Sequence, residues 1–291
     1  MLDIGLSLSS TRQLMLIVSA TTFLLLTVAF FRLISVLSRE PPSPRPRRSA
    51  LDPTHVLIVL GSGGHTAEML NILSQTPHLQ LDFTYRTYVV SSGDDFSALK
   101  AHDFEKSLLS NLETSGISIP EGTGTNYDVV TVYRARKVHQ SLLTAQISSL
   151  RCLWDCFAVL RGTHRDIGPQ RRTRATRLYP DLILTNGPGT GVIVILASII
   201  LRFFGSNSRA NSWWQSTKQT VHSAGSRERQ NVSYTQAGQM RSIFIESWAR
   251  VKSLSLSGRL LKPFVDRFVV QWPQLVEEGE SRVEYIGPLI T

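Results

Sequence analysis

Two glycine-rich segments of the chain contain residue types that can bind a phosphorylated ligand. The first, GSGGH, covers residues 61–65 after the apolar run HVLIVL, and the second, NGPGTG, covers residues 186–191 after DLILT. Glycine lets backbone N–H groups approach a phosphate closely, and a helix that starts after such a turn directs its positive end toward the ligand. We therefore expect a phosphate or diphosphate at these two turns, which together would define a cleft.

His65 gives the first turn a side chain that can take part in acid–base chemistry. At the start of a helix, an imidazole can donate to a phosphoryl oxygen or accept a proton from an attacking hydroxyl. A packed or helix-capping histidine is the alternative interpretation. Thr66 occupies the position of the third glycine in G-x-G-x-x-G, and the loop lacks the Lys-Ser/Thr pair of a P-loop, which argues against a dinucleotide site and an NTPase.

A basic segment, YRARKVHQS at residues 133–141, follows another predicted strand and carries Arg134, Arg136 and Lys137. If that strand belongs to the same sheet, the segment lies at the same edge as the glycine turns. Paired arginines suit a diphosphate because guanidinium groups bind its oxygens in a bidentate manner. Solvated surface charge is the alternative.

Short apolar runs alternate with helical patterns along most of the chain, which predicts an α/β fold with a mostly parallel, Rossmann-like sheet. In such sheets, ligands bind beyond the carboxyl ends of the strands, where GSGGH lies. The predicted strands are 55–60, 86–91, 128–133, 181–186, 242–247 and 266–272, and the predicted helices are 66–74, 95–109, 140–160 and 191–204.

The N-terminal residues predict one transmembrane helix. Residues 14–31 carry no charge, and the apolar run resumes after Arg32, so the segment can cross a hydrocarbon core of about 30 Å. A cleaved signal peptide is the alternative. We expect an anchor at 1–38, a Pro/Arg-rich linker at 39–54 that is attracted to anionic headgroups, and a folded domain at 55–291. The arginines after the helix place that domain in the cytosol.

Composition limits the remaining possibilities. The chain has 291 residues, 42% of them hydrophobic, and a net charge of +9, but no zinc-ligand spacing or aromatic-basic RNA signature accompanies its arginine clusters. We therefore expect no nucleic acid partner, and a membrane surface or a phosphorylated ligand accounts for the charge. Cys152 and Cys156 are the two cysteines, and their spacing predicts reduced thiols in the core.

Two segments near the middle of the chain are ambiguous. The helix at 192–204 is apolar all around and too short to span a bilayer, so it is either a buried core helix or a helix at the membrane interface. Residues 205–241 are rich in Ser, Gln, Asn and Thr and lack periodicity. They predict a disordered insertion, or an artefact of the gene model.

Five segments, in order, resemble a known family. They are HVLIVLGSGGHTAEML, YRARKVHQS, PDLILTNGPGTG, ESWARVKSLSLSGRLLKPFVDRFVVQWPQL and YIGPLI. The family is the membrane-anchoring subunit of the UDP-N-acetylglucosamine transferase that adds the second GlcNAc to GlcNAc-diphosphodolichol, in the dolichol-linked oligosaccharide pathway of N-glycosylation. More loosely, the chain resembles the N-terminal domain of the bacterial transferase that makes lipid II.

The resemblance implies the N-terminal half of a GT-B glycosyltransferase, which binds the lipid-diphosphate acceptor and needs no cofactor or metal. Because the chain ends after VEYIGPLIT, we expect a soluble catalytic subunit to supply the UDP-GlcNAc site. The preceding GlcNAc-phosphate transferase of the pathway is a further candidate partner. The expected location is the endoplasmic reticulum membrane and the continuous nuclear membrane, with a single pass and a lumenal N-terminus.

The resemblance also implies site residues. It gives His65 a role in acceptor deprotonation or diphosphate binding, and it implies docking of the catalytic subunit at the C-terminal segment, for which a terminal strand is the alternative. The expected acceptor- and diphosphate-binding residues are Gly61, Ser62, Gly63, Gly64, His65, Glu68, Arg134, Arg136, Gln140, Asn186, Gly187, Gly189, Glu246, Ser247 and Arg250. The expected docking residues are Tyr285, Ile286, Gly287 and Leu289. Trp248, Val251, Leu254 and Leu256 are alternatively core residues.

Two other functions remain open at this point. A membrane-anchored NAD(P)-dependent oxidoreductase would use GSGGH for its cofactor, but Ser91 and Ser92 stand where an acidic residue is expected after the second strand. A non-catalytic membrane scaffold without a ligand site is the second. Binding of a lipid-diphosphate sugar would separate the scaffold from an acceptor-binding subunit.

Overall fold

The computed structural model describes residues 2–38, 54–77, 79–114, 126–136, 140–168, 179–187, 189–205, 238–276 and 283–289. The chain forms two compact units, Met1–Pro41 and Pro42–Thr291. The predicted linker lies outside the described residues except for Thr54, as does most of the predicted insertion at 205–241. Both therefore stay predictions.

The first unit is one long helix, α1, which runs from Leu2 to Leu37. Its segment Arg12–Leu37 has a mean hydropathy of 2.4 and is long enough to cross a membrane. The hydroxyls of Thr22 and Thr27 donate to backbone carbonyls four residues earlier in the same helix, at 2.7 and 2.8 Å. These polar groups therefore need no partner outside the helix, which suits a hydrocarbon environment.

In the second unit, the described residues form one seven-stranded sheet in the order β3-β2-β1-β4-β5-β6-β7. All of its pairings are parallel. The strands are β1 His55–Val59, β2 Tyr85–Ser91, β3 Tyr127–Val132, β4 Leu182–Thr185, β5 Arg241–Ile245, β6 Arg267–Val270 and β7 Val283–Tyr285. The predicted Rossmann-like α/β fold is confirmed. Six strands match the predicted ones, and β7 is an addition.

Helices connect the strands. They are α2 Gly64–Ser74, α3 Leu79–Asp82, α4 Asp95–Thr114, α5 Leu142–Leu160, α6 Gly189–Phe204 and α7 Leu256–Leu261. In the register, Val56 of β1 pairs with Arg86 of β2 on one side and with Leu182 of β4 on the other. The strand order thus reverses at β1, and the crevice beyond the carboxyl end of β1 is the point where open α/β sheets bind ligands.

The core lies on both faces of the central strands, so β1 is buried along its whole length. Beside it, Arg86 and Glu105 form a fully buried bidentate pair, with Nε–Oε1 and Nη2–Oε2 distances of 2.6 and 2.8 Å. Tyr88 donates its hydroxyl to the same Glu105 carboxylate at 2.7 Å. Burial, and then the charge of Glu105, raise the pKa of Tyr88 well above its ordinary value, so its hydroxyl stays protonated.

Two sequence predictions concern the face formed by α5 and α6. Cys152 and Cys156 are free and buried, as predicted, and the hydrogen bond between their thiols raises the pKa of Cys156. In α6, the side chains of Ile195 and Ala197 are fully buried, so the core interpretation is confirmed for that side of the helix. Phe204, at its end, is exposed.

Candidate functional site

The first glycine turn leads directly from β1 into the N-terminus of α2. Gly63 is the N-cap residue, and its φ of +63° and ψ of −121° are accessible to glycine but strained for other residues. In the described chain, no side chain caps this helix end. A Cβ atom on Gly64 would meet no atom within 4 Å. The start of α2 is therefore open beside Gly64 and has no capping side chain, which lets an anion approach the first N–H groups of the helix.

The second glycine turn lies against the first. A Cβ atom on Gly187 would come within 3.3 Å of the Cα atom of Gly61, so a larger residue at position 187 would push the two turns slightly apart. The side-chain amide of Asn186 donates to the carbonyl of His65 at 2.8 Å. The structure thus brings together the two turns that the sequence predicts at one edge of the sheet, and Asn186 joins them.

His65 is the titratable side chain at the mouth of this crevice. Its side chain is 37% exposed, and its Nδ1 atom lies 3.9 Å from Oε2 of Glu68. This Nδ1 atom and Oδ1 of Asn186 are buried and have no hydrogen-bond partner among the described residues. Two neighbouring residues therefore offer unused polar atoms at the junction of the glycine turns.

The two arginines of the basic segment occupy different places. Arg134 lies at the first glycine turn, where its Nη2 donates to Oγ of Ser62 at 3.4 Å and its backbone N–H donates to Oγ of Ser92 at 3.1 Å. Arg136 is exposed and donates from Nε and Nη2 to the carbonyl of Gln140, at 3.2 and 3.0 Å. Arg134 therefore faces the crevice, whereas Arg136 stabilises its own loop.

Glu68 lies below the crevice and is nearly buried. Its Oε1 atom accepts hydrogen bonds from the backbone N–H of Trp248 at 2.5 Å and from Nε2 of Gln271 at 2.9 Å. Its Oε2 atom receives a long contact of 3.5 Å from Nδ2 of Asn186. The carboxylate is thus occupied by protein donors that come from the loops after β4, β5 and β6.

Glu246 is likewise buried, directly after β5. Its Oε2 atom accepts from the backbone N–H and the hydroxyl of Ser255 at 3.0 and 3.1 Å, and its Oε1 atom accepts from the N–H of Ser247 at 3.2 Å. The backbone N–H of Arg250 donates to the carbonyl of Ser247 at 2.9 Å, and the Arg250 side chain is exposed. Glu246 therefore fixes the loop that carries Ser247 and Arg250.

That loop and the first residue of α7 carry apolar side chains, for which a place in the core was the alternative interpretation. Trp248, Val251 and Leu256 are 45%, 38% and 74% exposed, so for these three residues the core interpretation is wrong. The backbone of Trp248 is held in place by Trp272, whose indole N–H donates to the Trp248 carbonyl at 2.7 Å. The loop is therefore both fixed and accessible.

The C-terminal segment reaches the same network. Tyr285 ends β7, and Ile286 and Gly287 follow it, with Gly287 at a φ of +85°. The backbone N–H of Leu289 donates to Oε1 of Gln271 at 3.1 Å. Gln271, which also binds Glu68, is therefore a link that sequence reasoning missed, since a single glutamine after a strand carries no distinctive signal.

A parallel Rossmann-like sheet with two glycine turns at its switch point defines the class: an α/β protein whose turns lie where open α/β sheets bind ligands. A family model described as "Oligosaccharide biosynthesis protein Alg14 like" matches residues 56–289, and the chain belongs to this family. The resemblance predicted from the sequence is confirmed.

Curated relatives agree with this assignment. The UDP-N-acetylglucosamine transferase subunit alg14 of Aspergillus fumigatus is 43% identical over 234 residues, which cover 75% of this chain and 100% of the relative. The Schizosaccharomyces pombe subunit alg14 is 36% identical, covering 80% of this chain and 82% of its own length. The ALG14 subunit of Rattus norvegicus is 30% identical, covering 89% and 91%.

Among solved structures, the crystal structure of Acinetobacter baumannii MurG aligns with a TM-score of 0.42 at 10% identity. The alignment covers 80% of this chain, and it spans less than half of the MurG chain, 45%.

Proposed function

We propose that this chain is the membrane subunit of the transferase that adds the second GlcNAc to GlcNAc-diphosphodolichol. It binds the lipid-diphosphate acceptor and recruits a soluble catalytic subunit that brings UDP-GlcNAc. Its relatives in fungi and rat are named as subunits of a UDP-N-acetylglucosamine transferase. Its N-terminal helix has the length and composition of a membrane span.

One observation carries the acceptor role: His65, Arg134 and the open N-terminus of α2 converge on the two glycine turns. In this proposal, the diphosphate accepts hydrogen bonds from the first N–H groups of α2 and from the Arg134 guanidinium. Hydrogen bonds of this kind, to charged groups, contribute about 1.5 to 3 kcal/mol each. Both acidic side chains expected at the site, Glu68 and Glu246, accept hydrogen bonds from protein donors, so they do not compete with the anion for Arg134 or for the first N–H groups of α2.

His65 acts on the acceptor hydroxyl in this scheme. The hydroxyl oxygen of the acceptor GlcNAc forms a bond to the anomeric carbon of the donor GlcNAc, while the bond from that carbon to UDP breaks. The imidazole accepts the hydroxyl proton, or alternatively it binds the diphosphate. Glu68 lies close to the ring, with its Oε2 atom 3.9 Å from Nδ1.

The other expected residues have supporting roles in the proposal. Gly61, Gly187 and Gly189 shape the floor of the crevice, Ser62 and Gln140 line its mouth, and Ser247 and Arg250 border it from the loop after β5. The segment with Tyr285, Ile286, Gly287 and Leu289 docks the catalytic subunit. Half-exposed Tyr285 and Ile286 give this segment apolar surface for a partner.

The membrane arrangement is also part of the proposal. Residues 1–38 anchor the chain in the endoplasmic reticulum membrane and the continuous nuclear membrane, with the N-terminus in the lumen. Residues 39–54 link the anchor to the cytosolic acceptor-binding domain at 55–291. The preceding GlcNAc-phosphate transferase is a further partner to be sought there. Tagging each terminus and testing its access to protease in sealed microsomes measures this orientation.

The central experiment co-purifies the full chain with its candidate catalytic subunit and measures GlcNAc transfer from UDP-GlcNAc to a lipid-diphosphate GlcNAc. We expect transfer by the pair and none by the chain alone. Replacing His65 with alanine should lower the rate about 100-fold, within the usual contribution of general acid–base catalysis. The exposed His102 of α4 provides the matched control, since His102→Ala should leave the rate unchanged.

Two results would reject the proposal. Transfer by this chain alone would reject the division of labour between two subunits. Recruitment of the catalytic subunit without any binding of lipid-diphosphate GlcNAc would instead indicate a scaffold without a ligand site. Equilibrium binding of the acceptor to the isolated subunit measures this directly. Full activity of His65→Ala with unchanged acceptor affinity would remove His65 from the site.

A further inference from the structure

Helix α5 exposes a row of large apolar side chains on its outer face. Ile147, Leu150 and Trp154 are spaced by three and four residues, so they lie along one side of the helix. Their exposed fractions are 61%, 65% and 77%. Single exposed apolar residues are common, but a contiguous row that includes a tryptophan indicates a binding surface.

This row lines a shallow, open cavity. A cavity of about 460 Å³ lies among the three side chains, Tyr133 and Arg151. The guanidinium of Arg151 stacks over the Tyr133 ring, 5.6 Å from its centroid, and so forms part of the cavity wall. The volume is within the range of about 300 to 1,000 Å³ that is typical of small-molecule sites.

A second cavity continues the first toward the carboxyl edge of the sheet. It has a volume of about 340 Å³, and its lining includes Tyr133, Asp155, Ser92 and His164. Tyr133 and Asp155 line both cavities, so the two adjoin each other, and together they are called the groove below. Asp155 fixes the shared wall, because its Oδ2 atom accepts the backbone N–H of Tyr133 at 2.8 Å.

The polar end of this groove meets the candidate acceptor site. Ser92 lines the second cavity, and its Oγ atom accepts the backbone N–H of Arg134 at 3.1 Å. Arg134 in turn reaches Ser62 in the first glycine turn at 3.4 Å. The groove therefore runs from the glycine turns, past a polar section, to an apolar section on α5.

We propose that this groove binds the first part of the acceptor's polyisoprenoid chain while the diphosphate stays at the glycine turns. The inference rests on the proposed acceptor role. An amphipathic ligand with a charged head and an apolar tail matches the order of polar and apolar lining. The apolar section adjoins the polar section that leads to the glycine turns, so a tail can follow it from a diphosphate bound there. Burial of the tail removes both its own apolar surface and that of Trp154 from water.

The test uses the complex of the full chain with its catalytic subunit in detergent. Two acceptors, a long-chain polyisoprenyl-diphosphate GlcNAc and one with a ten-carbon tail, are compared at the same mole fraction in the micelle. We expect the wild-type pair to show a KM about tenfold lower for the long-chain acceptor. The double variant Leu150→Ser, Trp154→Ser should lose this preference by raising KM for the long chain, without a change in kcat.

The short-chain acceptor and a control variant separate this role from a general defect. The double variant should keep the wild-type KM for the short chain, because the diphosphate site is untouched. Leu99→Ser removes a comparably exposed apolar side chain from α4 and should change neither KM. If the double variant raises KM equally for both acceptors, or if wild type shows no tail preference, the groove does not bind the tail.

Two further outcomes would assign the groove to another occupant and overturn the proposal. Loss of the catalytic subunit from the purified double variant would make α5 a protein interface. A defect seen only in vesicles, whatever the tail length, would make it a contact with the bilayer. Failure of the proposed function looks different, since the wild-type chain would then bind neither acceptor.

Discussion

The backbone N–H of Trp248 donates to the buried carboxylate of Glu68 at 2.5 Å, across 180 residues of sequence. Gln271 donates to the same oxygen, and Gln271 also accepts the N–H of Leu289. Glu68 therefore ties the helix behind the first glycine turn to the loops after β5 and β6. The C-terminal segment joins the same network, so the candidate acceptor and docking regions share one set of hydrogen bonds.

Glu68→Gln should weaken this network. The N–H of Trp248 and Nε2 of Gln271 both bind Oε1, so a glutamine oxygen would still accept them, but each hydrogen bond would lose its charged acceptor. We expect the free energy of unfolding to fall by about 1 to 3 kcal/mol and KM for the acceptor to rise. Urea denaturation and transfer assays measure these changes. Asp103→Asn on exposed α4 is the matched control, and a Glu68→Gln variant that equals it in both assays would contradict a positioning role.

The two adjacent glycines of the first turn should respond oppositely to alanine. Gly63 has a φ of +63°, so Gly63→Ala should destabilise the fold by about 1 to 3 kcal/mol. Gly64→Ala adds a Cβ in open space at the start of α2 and should stabilise the fold by about 0.4 to 1 kcal/mol. Its Cβ would, however, stand where we place the diphosphate, so acceptor binding should weaken. Thermal unfolding and acceptor titration check both, and unchanged binding by Gly64→Ala would argue against close approach of the ligand.

Arg134 and Arg136 provide a second internal comparison. Arg134→Ala removes the guanidinium at the first glycine turn, and we expect KM for the acceptor to rise about tenfold or more, the equivalent of one charge-assisted hydrogen bond. Arg136→Ala removes a side chain that contacts the Gln140 carbonyl, and its effect on KM should be less than twofold, on the order of a surface substitution. Equal effects of the two variants would show that only overall charge matters.

Glu105 should be essential for stability but not for binding. Glu105→Gln removes the carboxylate that pairs with the buried Arg86, and breaking one side of a buried pair costs about 3 to 5 kcal/mol. Tyr88→Phe removes one neutral donor from the same carboxylate and should cost about 1 kcal/mol. Urea denaturation orders the two variants. At temperatures where the variants remain folded, KM for the acceptor should equal that of the wild type, and a raised KM would link this pair to the site.

Local sequence patterns are sufficient for much of this protein. The alternation of apolar runs and helical segments predicts β1 to β6 and the parallel α/β fold. Hydrophobic periodicity and the apolar runs of buried strands can both be read from a short stretch of sequence. The uncharged run before residue 32 predicts the N-terminal helix. The two glycine-rich segments each follow an apolar run, which predicts turns at the ends of strands. β7 was missed because three residues at a sheet edge are too short to form a pattern.

The tertiary structure decided which of the candidate residues face one another. Arg134 and Arg136 are two residues apart in the same segment, yet only Arg134 contacts the first glycine turn. Glu68 lies on the first turns of α2, but its partners are 118 to 203 residues away. Such contacts depend on strand order and register, which place distant loops side by side at the carboxyl edge of the sheet. No local propensity encodes that juxtaposition, so the sequence determined the elements and the residue types, while folding determined their partners.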